Sequence, residues 1–134
     1  MKVIPRIGLT VIKDGRALLV REKGWNFVGF AGGGIESGED NIQCLEREVK
    51  EEFGVGIKKD SIKYFGTFEG DAAGEEDAGK IVEMKMFIAK FDKEPKKTEE
   101  IEKIFWLGKD DDLREVDKLD KLIFKALIKS GLVK

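Results

Sequence analysis

The chain has 134 residues, of which 41% are hydrophobic and 39% charged, and its 25 basic and 27 acidic residues give a formal net charge of −2. This size predicts one soluble domain over residues 1–134, while the absence of a long apolar run and the balanced charge argue against a membrane span or a nucleic acid polymer as partner. The sequence contains no histidine and one cysteine, which excludes Ser-His-Asp and Cys-His catalysis and leaves carboxylates, Lys, Arg, backbone groups or a hard metal ion for any chemistry.

Two strands and a tight turn are predicted at the start of the chain. Residues 3–12 and 17–21 are rich in apolar and β-branched residues, and Asp14-Gly15 between them is typical of a hairpin turn. A glycine-rich stretch, residues 29–34, follows them. Regular helices and strands tolerate such a run poorly, so the run indicates an irregular backbone conformation.

The clearest helix is predicted to begin after Asp40. Asp40 can cap it, Gln43 completes a capping box, and Gly54 lies where a helix C-terminus favours a left-handed residue. Cys44 lies on this helix and is expected to pack as a small apolar residue. The apolar residues at helical spacing are Ile42, Leu45, Val49 and Phe53.

The rest of the chain alternates strand patterns with a loop and ends in a helix. Strand patterns occupy residues 62–68, 81–91 and 101–107. A loop is predicted over residues 70–80, and an amphipathic helix over residues 113–129, ended by Gly131. Its apolar stripe comprises Val116, Leu119, Leu122, Ile123, Ala126 and Leu127. The order of elements predicts an α+β or α/β sandwich around a mixed sheet.

Three glutamates on the first helix form a candidate metal site. Glu48, Glu51 and Glu52 stand at i, i+3 and i+4, so their carboxylates share one face, away from the apolar stripe. Clustered carboxylate oxygens suit Mg²⁺, and Arg47 can offset part of their repulsion at i+4. An acidic helical face is more often simply solvated, so the cluster alone does not decide between the two interpretations.

The spacing around the cluster resembles the Nudix box, Gly-x5-Glu-x7-Arg-Glu-U-x-Glu-Glu-x-Gly-U, where U is apolar. Every defined position matches, at Gly33, Glu39, Arg47, Glu48, Val49, Glu51, Glu52, Gly54 and Val55. One departure is Ala31-Gly32-Gly33, where MutT-like members usually have Pro-Gly-Gly. The resemblance implies the Nudix fold, an α/β/α sandwich with a mixed β-sheet in which the box is loop-helix-loop.

Roles for the box residues follow from the same resemblance. It implies Mg²⁺, with Mn²⁺ as a substitute, held by the Gly33 carbonyl and by Glu48, Glu51 and Glu52. Arg47 would hold the glutamates in position, and Glu39 would support the loop, bind metal through water or lie close to the substrate.

The general base is predicted outside the box. MutT-like members place a glutamate a few residues before a tryptophan near the last strand, and here Glu99 and Glu100 precede Trp106. Glu100 is the candidate and Glu99 the reserve. The alternative is that both are ordinary solvated loop acids.

Substrate contacts are predicted around the glycine-rich stretch. Arg21 and Lys23 are candidates to bind phosphates, although a solvated strand end is the commoner explanation for such residues. The backbone of Gly32 and Gly33 can approach a phosphate closely. Several aromatic residues could stack a base, but at strand positions they are more often core: Trp25, Phe27, Phe30, Phe105 and Trp106.

The resemblance implies attack of water on a phosphorus of a diphosphate linkage. The predicted reaction converts a nucleoside triphosphate, with oxidised nucleotides among the candidates, to a nucleoside monophosphate and pyrophosphate. The alternatives are hydrolysis of another nucleoside diphosphate derivative, such as ADP-ribose or a dinucleoside polyphosphate, and a low-turnover nucleotide-sensing module. No signal-peptide pattern is present, so we expect a cytoplasmic monomer or homodimer whose partners are small phosphorylated molecules.

Overall fold

Seven β-strands and two α-helices make up residues 2–72 and 79–134, the part of the chain that the computed structural model describes. The strands are β1 (Val3–Thr10), β2 (Ile12–Lys13), β3 (Arg16–Glu22), β4 (Ala31–Gly34), β5 (Lys63–Asp71), β6 (Ile81–Ile88) and β7 (Ile101–Leu107). The helices are α1 (Asn41–Phe53) and α2 (Lys118–Lys129), and a 3-10 turn occupies Lys59–Ser61. No helix in these residues is long and apolar enough to cross a membrane.

The strands form two sheets. The four-stranded sheet has the order β4-β1-β6-β5, in which β1 and β6 run parallel and the other pairs antiparallel, so the predicted mixed sheet is confirmed. The three-stranded antiparallel sheet has the order β2-β3-β7. The bridge between Val20 and Gly29 continues the antiparallel pairing of β3 into the segment that leads to β4.

The two helices cover opposite faces of these sheets, which gives the α/β/α layering that the resemblance implies. Successive side chains of β3 point to opposite faces. Leu18 and Val20 pack in one core with α1, which contributes Leu45, Val49 and Phe53. Ala17 and Leu19 pack in the other core with α2, which contributes Leu119, Ile123, Phe124 and Leu127.

The local signals of the hairpin turn and of α1 are confirmed. Asp14 and Gly15 both have positive φ, 53° and 74°, as the tightest hairpin turns require. The Asp40 side chain accepts from the Gln43 amide at 2.8 Å, and the Gln43 side chain accepts from the Asp40 amide at 2.9 Å. Gly54 ends α1 with φ 68°, and its amide donates to the Lys50 carbonyl.

The start of the last helix was predicted wrongly. The apolar stripe places it at residue 113, but α2 begins at Lys118 because Asp117 is its N-cap, accepting from the Leu119 amide. Val116 pairs instead with Val28 in a parallel bridge. The side chain of Val116 has the apolar character that the helical pattern requires, but its backbone pairs with a segment distant in sequence.

Strand ends also differ from the prediction. The third strand pattern extends to Asp71 in β5, so Gly70 and Asp71 belong to a strand and not to the predicted loop. Residues 73–78 of that loop lie outside the described residues. The next strand, β6, ends at Ile88, three residues before the predicted end.

Candidate active site

Glycines of β4 bring the strand backbone against the carboxylates of α1. Gly32 has φ 135°, and a Cβ there would lie 2.0 Å from the carbonyl oxygen of Ile7. A Cβ on Gly33 would lie 2.4 Å from Oε1 of Glu48. The Gly32 amide donates to Oε2 of Glu52 at 3.3 Å. Glycine is required at Gly32 because of its positive φ and because a Cβ would meet the backbone of β1, whereas at Gly33 a Cβ would displace the carboxylate of Glu48.

Arg47 ties the loop before α1 to the helix. Its Nε donates to Oε2 of Glu39 at 2.6 Å, and its Nη2 donates to the Gly34 carbonyl at 3.0 Å. Its Nη1 lies 2.9 Å from Oε1 of Glu48 and 3.3 Å from Oε2 of Glu51. The planar fork of donors lets one guanidinium bridge three carboxylates. The structure therefore brings together four residues that the motif predicted.

The contacts of Arg47 keep Glu39 ionised. Hydrogen bonds from Arg47 and from the Glu36 amide lower the pKa of Glu39 to about 2. Glu39 in return raises the pKa of Arg47 above its ordinary value. The pair thus stays charged across the physiological range and fixes the loop onto α1.

Glu48, Glu51 and Glu52 differ in burial, although their helical spacing predicts that they share one face. The side chain of Glu51 is 44% exposed and that of Glu48 is 13% exposed. Glu52 is only 1% exposed. The reason is that the glycines of β4 let the strand backbone cover this side of the helix.

Glu22, at the end of β3, is a site residue that the sequence analysis missed. Its side chain lies close enough to Glu52 and to Glu100 for their negative charges to repel. Alternation along β3 places Glu22 on the same face as Leu18 and Val20, which pack against α1. That periodicity was the signal that could have found it.

Burial raises the pKa of the inner carboxyl groups. Desolvation raises the pKa of Glu48 to about 7, against the opposing effect of its hydrogen bond from Arg47. Desolvation, followed by repulsion from Glu22, raises the pKa of Glu52 well above its ordinary range. The pKa of Glu22 is also raised, mainly by desolvation. Negative charge is therefore costly here, and a cation would favour the ionised forms.

The turn before β7 packs against the end of α1. The Thr98 hydroxyl contacts the carbonyl oxygens of Glu51 and Glu52, each at 2.9 Å. The Glu100 amide donates to the Thr98 hydroxyl oxygen at 3.3 Å, so this turn is held beside the box helix. The side chain of Glu100 is exposed and lies near that of Glu22. Glu99 is also exposed.

The two predicted phosphate-binding cations lie in different surroundings. Lys23 is exposed, and its amide donates to the Glu100 carbonyl at 2.9 Å, which places it beside the glutamate cluster. Arg21 forms an ion pair with Glu115 at 3.3 Å and stacks on the ring of Phe105. These contacts put Arg21 on the face of β3 that α2 covers.

The candidate aromatic side chains and Cys44 pack against other side chains. Trp25 and Phe27 stack on one another with centroids 4.5 Å apart, and Phe30 is buried. Cys44 is fully buried, as expected, and burial raises the pKa of its thiol to about 11.

The chemistry of these donors fits a hard divalent cation. Mg²⁺ prefers a few carboxylate oxygens together with water and substrate oxygens. Glu52 and Glu22 lie close together in a desolvated position, where a divalent ion would relieve their repulsion. Within the described residues, no three Asp, Glu, Cys or His side chains already converge as a metal site. Arg47 occupies the space between Glu48 and Glu51 instead.

Solved structures share this fold. The MutT Nudix hydrolase from Burkholderia pseudomallei superposes with a TM-score of 0.77 at 19% identity, covering 93% of this chain and 98% of that one. The E. coli ORF135 protein superposes with a TM-score of 0.72 at 24% identity, covering 97% and 94%. A UDP-X diphosphatase superposes with a TM-score of 0.74 at 17% identity, covering 99% and 66%. No curated protein matches the sequence significantly.

The family model of the Nudix domain matches residues 4–126, nearly the whole chain. The match includes the glycine strand, the capped helix and the glutamates described above. The chain therefore belongs to the Nudix family, whose hydrolases act on the phosphoric anhydride bond of nucleoside diphosphate-linked substrates.

Proposed function

We propose that the protein is a Mg²⁺-dependent pyrophosphohydrolase that converts a nucleoside triphosphate, oxidised forms included, to the monophosphate and pyrophosphate. The observation that carries the proposal is the glutamate cluster of α1, where Glu48 and Glu52 are held against the β4 backbone beside the exposed Glu51. This placement concentrates hard oxygen donors at one edge of the sheet.

Glu48, Glu51, Glu52 and the Gly33 carbonyl would hold the metal. Bound there, Mg²⁺ or its substitute Mn²⁺ neutralises charge on the phosphate oxygens of the substrate. Arg47 contacts both Glu48 and Glu51, so a cation held by these carboxylates would compete with the guanidinium for their oxygens.

Arg47 and Glu39 act as positioning residues in this proposal. Their 2.6 Å hydrogen bond anchors the guanidinium independently of the metal ligands. Arg47 can therefore release Glu51 and still hold the loop that carries Gly33 and Gly34.

Glu100 is the proposed general base. It lies on the turn that Thr98 fixes to α1, and it is exposed beside Glu22 at the edge of the cluster. A carboxylate there can accept a proton from water attacking phosphorus. Its anchoring through the Thr98 hydroxyl keeps it within a short distance of the metal ligands.

Substrate phosphates would be bound by Lys23 and by the backbone of Gly32 and Gly33. Lys23 is exposed next to the Glu100 carbonyl, where its charge is available to a phosphate. Arg21 contributes only if it leaves its partner Glu115.

A second candidate substrate class is a nucleoside diphosphate linked to another group. The likeness to a UDP-X diphosphatase over 99% of this chain supports it, since one fold holds the same chemistry for both classes. The box glutamates act on the anhydride bond in either case, so the substrates differ only in what flanks it.

The decisive experiment measures Mg²⁺-dependent phosphate release, with pyrophosphatase or phosphatase coupled to the reaction, over a panel of nucleoside triphosphates, oxidised nucleotides, ADP-ribose, nucleoside diphosphate sugars and dinucleoside polyphosphates. One strongly preferred triphosphate supports the proposal, and one preferred diphosphate derivative supports the second candidate. Tight binding of a nucleotide without turnover would instead identify a sensing module.

The role of Glu52 is tested by Glu52→Gln with Glu46→Gln as control. Glu46 lies on the same helix with a side chain 35% exposed and ion-pairs weakly with Lys59 at 3.7 Å. We expect Glu52→Gln to lower Mg²⁺-dependent kcat by about 100-fold or more while Glu46→Gln leaves it unchanged. Normal turnover in Glu52→Gln would refute Glu52 as a metal ligand.

A further inference from the structure

Thr98 lies between the helix that carries the box glutamates and the turn that carries Glu100. Its side chain is half-buried in a segment whose neighbouring residues are exposed. The hydroxyl lies 2.9 Å from the carbonyl oxygen of Glu51 and 2.9 Å from that of Glu52, so the two carbonyls share its single proton. A helix leaves its last carbonyl groups without partners of its own, and this contact supplies a donor from outside. Thr98 therefore completes the end of α1, although it precedes β7 in the sequence.

The same hydroxyl also fixes Glu100. Its oxygen accepts from the Glu100 amide at 3.3 Å, and the Thr98 carbonyl accepts from the Ile101 amide at 3.2 Å, which closes a turn over residues 98–101. Threonine side chains often stabilise turns by bonding to a backbone amide two residues on. The Glu100 carbonyl accepts from the Lys23 amide at 2.9 Å. Both backbone groups of Glu100 are therefore bonded, one towards α1 and the other towards the end of β3.

This chain of contacts sets the distance between the proposed base and the proposed metal ligands. From the Glu51 carbonyl through the Thr98 hydroxyl to the Glu100 amide, each contact is 3.3 Å or shorter. A side chain extends from its backbone, so fixing the backbone of Glu100 relative to α1 limits the positions that its carboxylate can take. A general base must lie within hydrogen-bond reach of the attacking water, and small displacements lower the rate strongly.

We infer that Thr98 is a positioning residue whose hydroxyl couples α1 to the turn of Glu100 and so places the general base relative to the metal ligands. The inference rests on the proposed function and adds to it a residue outside the Nudix box. A role limited to closing the end of α1 makes a different prediction, because the loss of Thr98 would then lower stability without acting through Glu100.

The test is a double-mutant cycle in Mg²⁺-dependent turnover of the preferred substrate. The variants are Thr98→Val, Glu100→Gln and the two combined. We expect Thr98→Val to lower kcat by at least about tenfold and to leave KM within about twofold, because the base acts in the transition state and not in substrate binding. In the Glu100→Gln background the same substitution should lower kcat by less than about twofold, because the base that Thr98 positions is already absent.

Two further variants separate positioning from stability. Thr98→Ser keeps the hydroxyl and loses only a methyl group, so its kcat should lie within about threefold of wild type. The matched control is Ser130→Ala. The Ser130 hydroxyl donates to the Leu127 carbonyl at 2.8 Å and accepts from the Leu132 amide at 3.5 Å, which is the same kind of contact at the end of α2. Its removal should leave kcat unchanged.

Urea unfolding of each variant shows that it is folded under the assay conditions. If Thr98→Val is not, Thr98→Ala replaces it in the cycle, since it also lacks the hydroxyl and adds no bulk. The expected changes in kcat and KM are the same for both substitutions.

The outcomes distinguish the inference from the function on which it rests. An unchanged kcat in Thr98→Val overturns the inference and leaves the proposed hydrolase standing. An equal fall in kcat in both backgrounds also overturns it, because Thr98 then acts independently of Glu100. If Glu100→Gln keeps the wild-type kcat, Glu100 is not the base, and the role of Thr98 falls with it. Only a wild-type protein without Mg²⁺-dependent turnover of any substrate would refute the proposed function and the inference together.

Discussion

Asp120, in the first turn of α2, makes the stability of this protein depend on pH. It is only 7% exposed, and among the described residues its Oδ1 has no hydrogen-bond partner. Burial raises the pKa of Asp120 to about 8, the charge of Asp117 adds to the effect, and a backbone hydrogen bond from Phe30 opposes it. The helix dipole favours a negative charge at this position, but desolvation is the larger effect.

The direction of the dependence follows from the raised pKa. The unfolded chain loses this proton near the ordinary value of 3.8, whereas the folded chain keeps it until about pH 8. Between these values the folded state binds more protons, so stability falls as pH rises. Each unit of the difference is worth about 1.4 kcal/mol, which gives a total on the order of 5 kcal/mol for complete ionisation.

Asp120→Asn isolates this contribution. The amide has nearly the shape of the neutral carboxyl group and cannot ionise. The variant therefore lacks the decrease in the free energy of unfolding with pH that Asp120 causes. We expect the stability of the variant relative to wild type to increase by about 3 kcal/mol between pH 5 and pH 7.5. An unpaired amide group in the same place shifts the whole profile by a constant, and only the slope is diagnostic.

The assay is urea unfolding of metal-free protein at several pH values from 5 to 8, with Asp110→Asn as the control at an exposed position. The other titrating groups are common to all three proteins, so their slopes cancel in the difference. Parallel profiles for wild type and Asp120→Asn over this range would contradict the argument, because Asp120 would then ionise alike in both states.

Three further outcomes follow from the site geometry. Gly33→Ala places a Cβ 2.4 Å from Glu48, so kcat should fall by about 100-fold, and a fall below threefold would contradict the close approach. Arg47→Lys loses the fork of donors and should destabilise by about 1–3 kcal/mol in urea unfolding; an unchanged midpoint would speak against the bridge. Thr98→Val removes the single hydroxyl donor that the carbonyls of Glu51 and Glu52 share, and should cost about 1–2 kcal/mol by the same measurement, with Thr67→Val as control.

The parts of the structure that depend on local chemistry could be predicted from the sequence. The capping box, the helical spacing and Gly54 all act within α1 itself, and the helix forms where they indicate. The start of α2 could not be predicted in this way. The Val28 amide donates to the Glu115 carbonyl, and the Val28 carbonyl accepts from the Asp117 amide. A segment distant in sequence therefore sets the helix boundary.

The site shows the same division between local and long-range causes. The motif brings Glu39, Arg47 and Glu48 together because they are close in sequence. Glu22 was missed because an acid between two cations at a strand end resembles a solvated position. Its partner Glu52 lies on another element, and only the packing of β3 against α1 makes them neighbours.

The fold must hold α1 intact although its glutamates repel one another. Repulsion at the end of a helix is normally relieved by fraying of the last turn, but here the last carbonyl oxygens are bonded from outside the helix. The Lys96 amide donates to the Phe53 carbonyl at 2.8 Å, and the Thr98 hydroxyl contacts the carbonyls of Glu51 and Glu52. The segment before β7 thus closes the helix and also positions Glu100. One short stretch therefore keeps the carboxylates in place, so the donors of the proposed metal site are restrained by the fold itself.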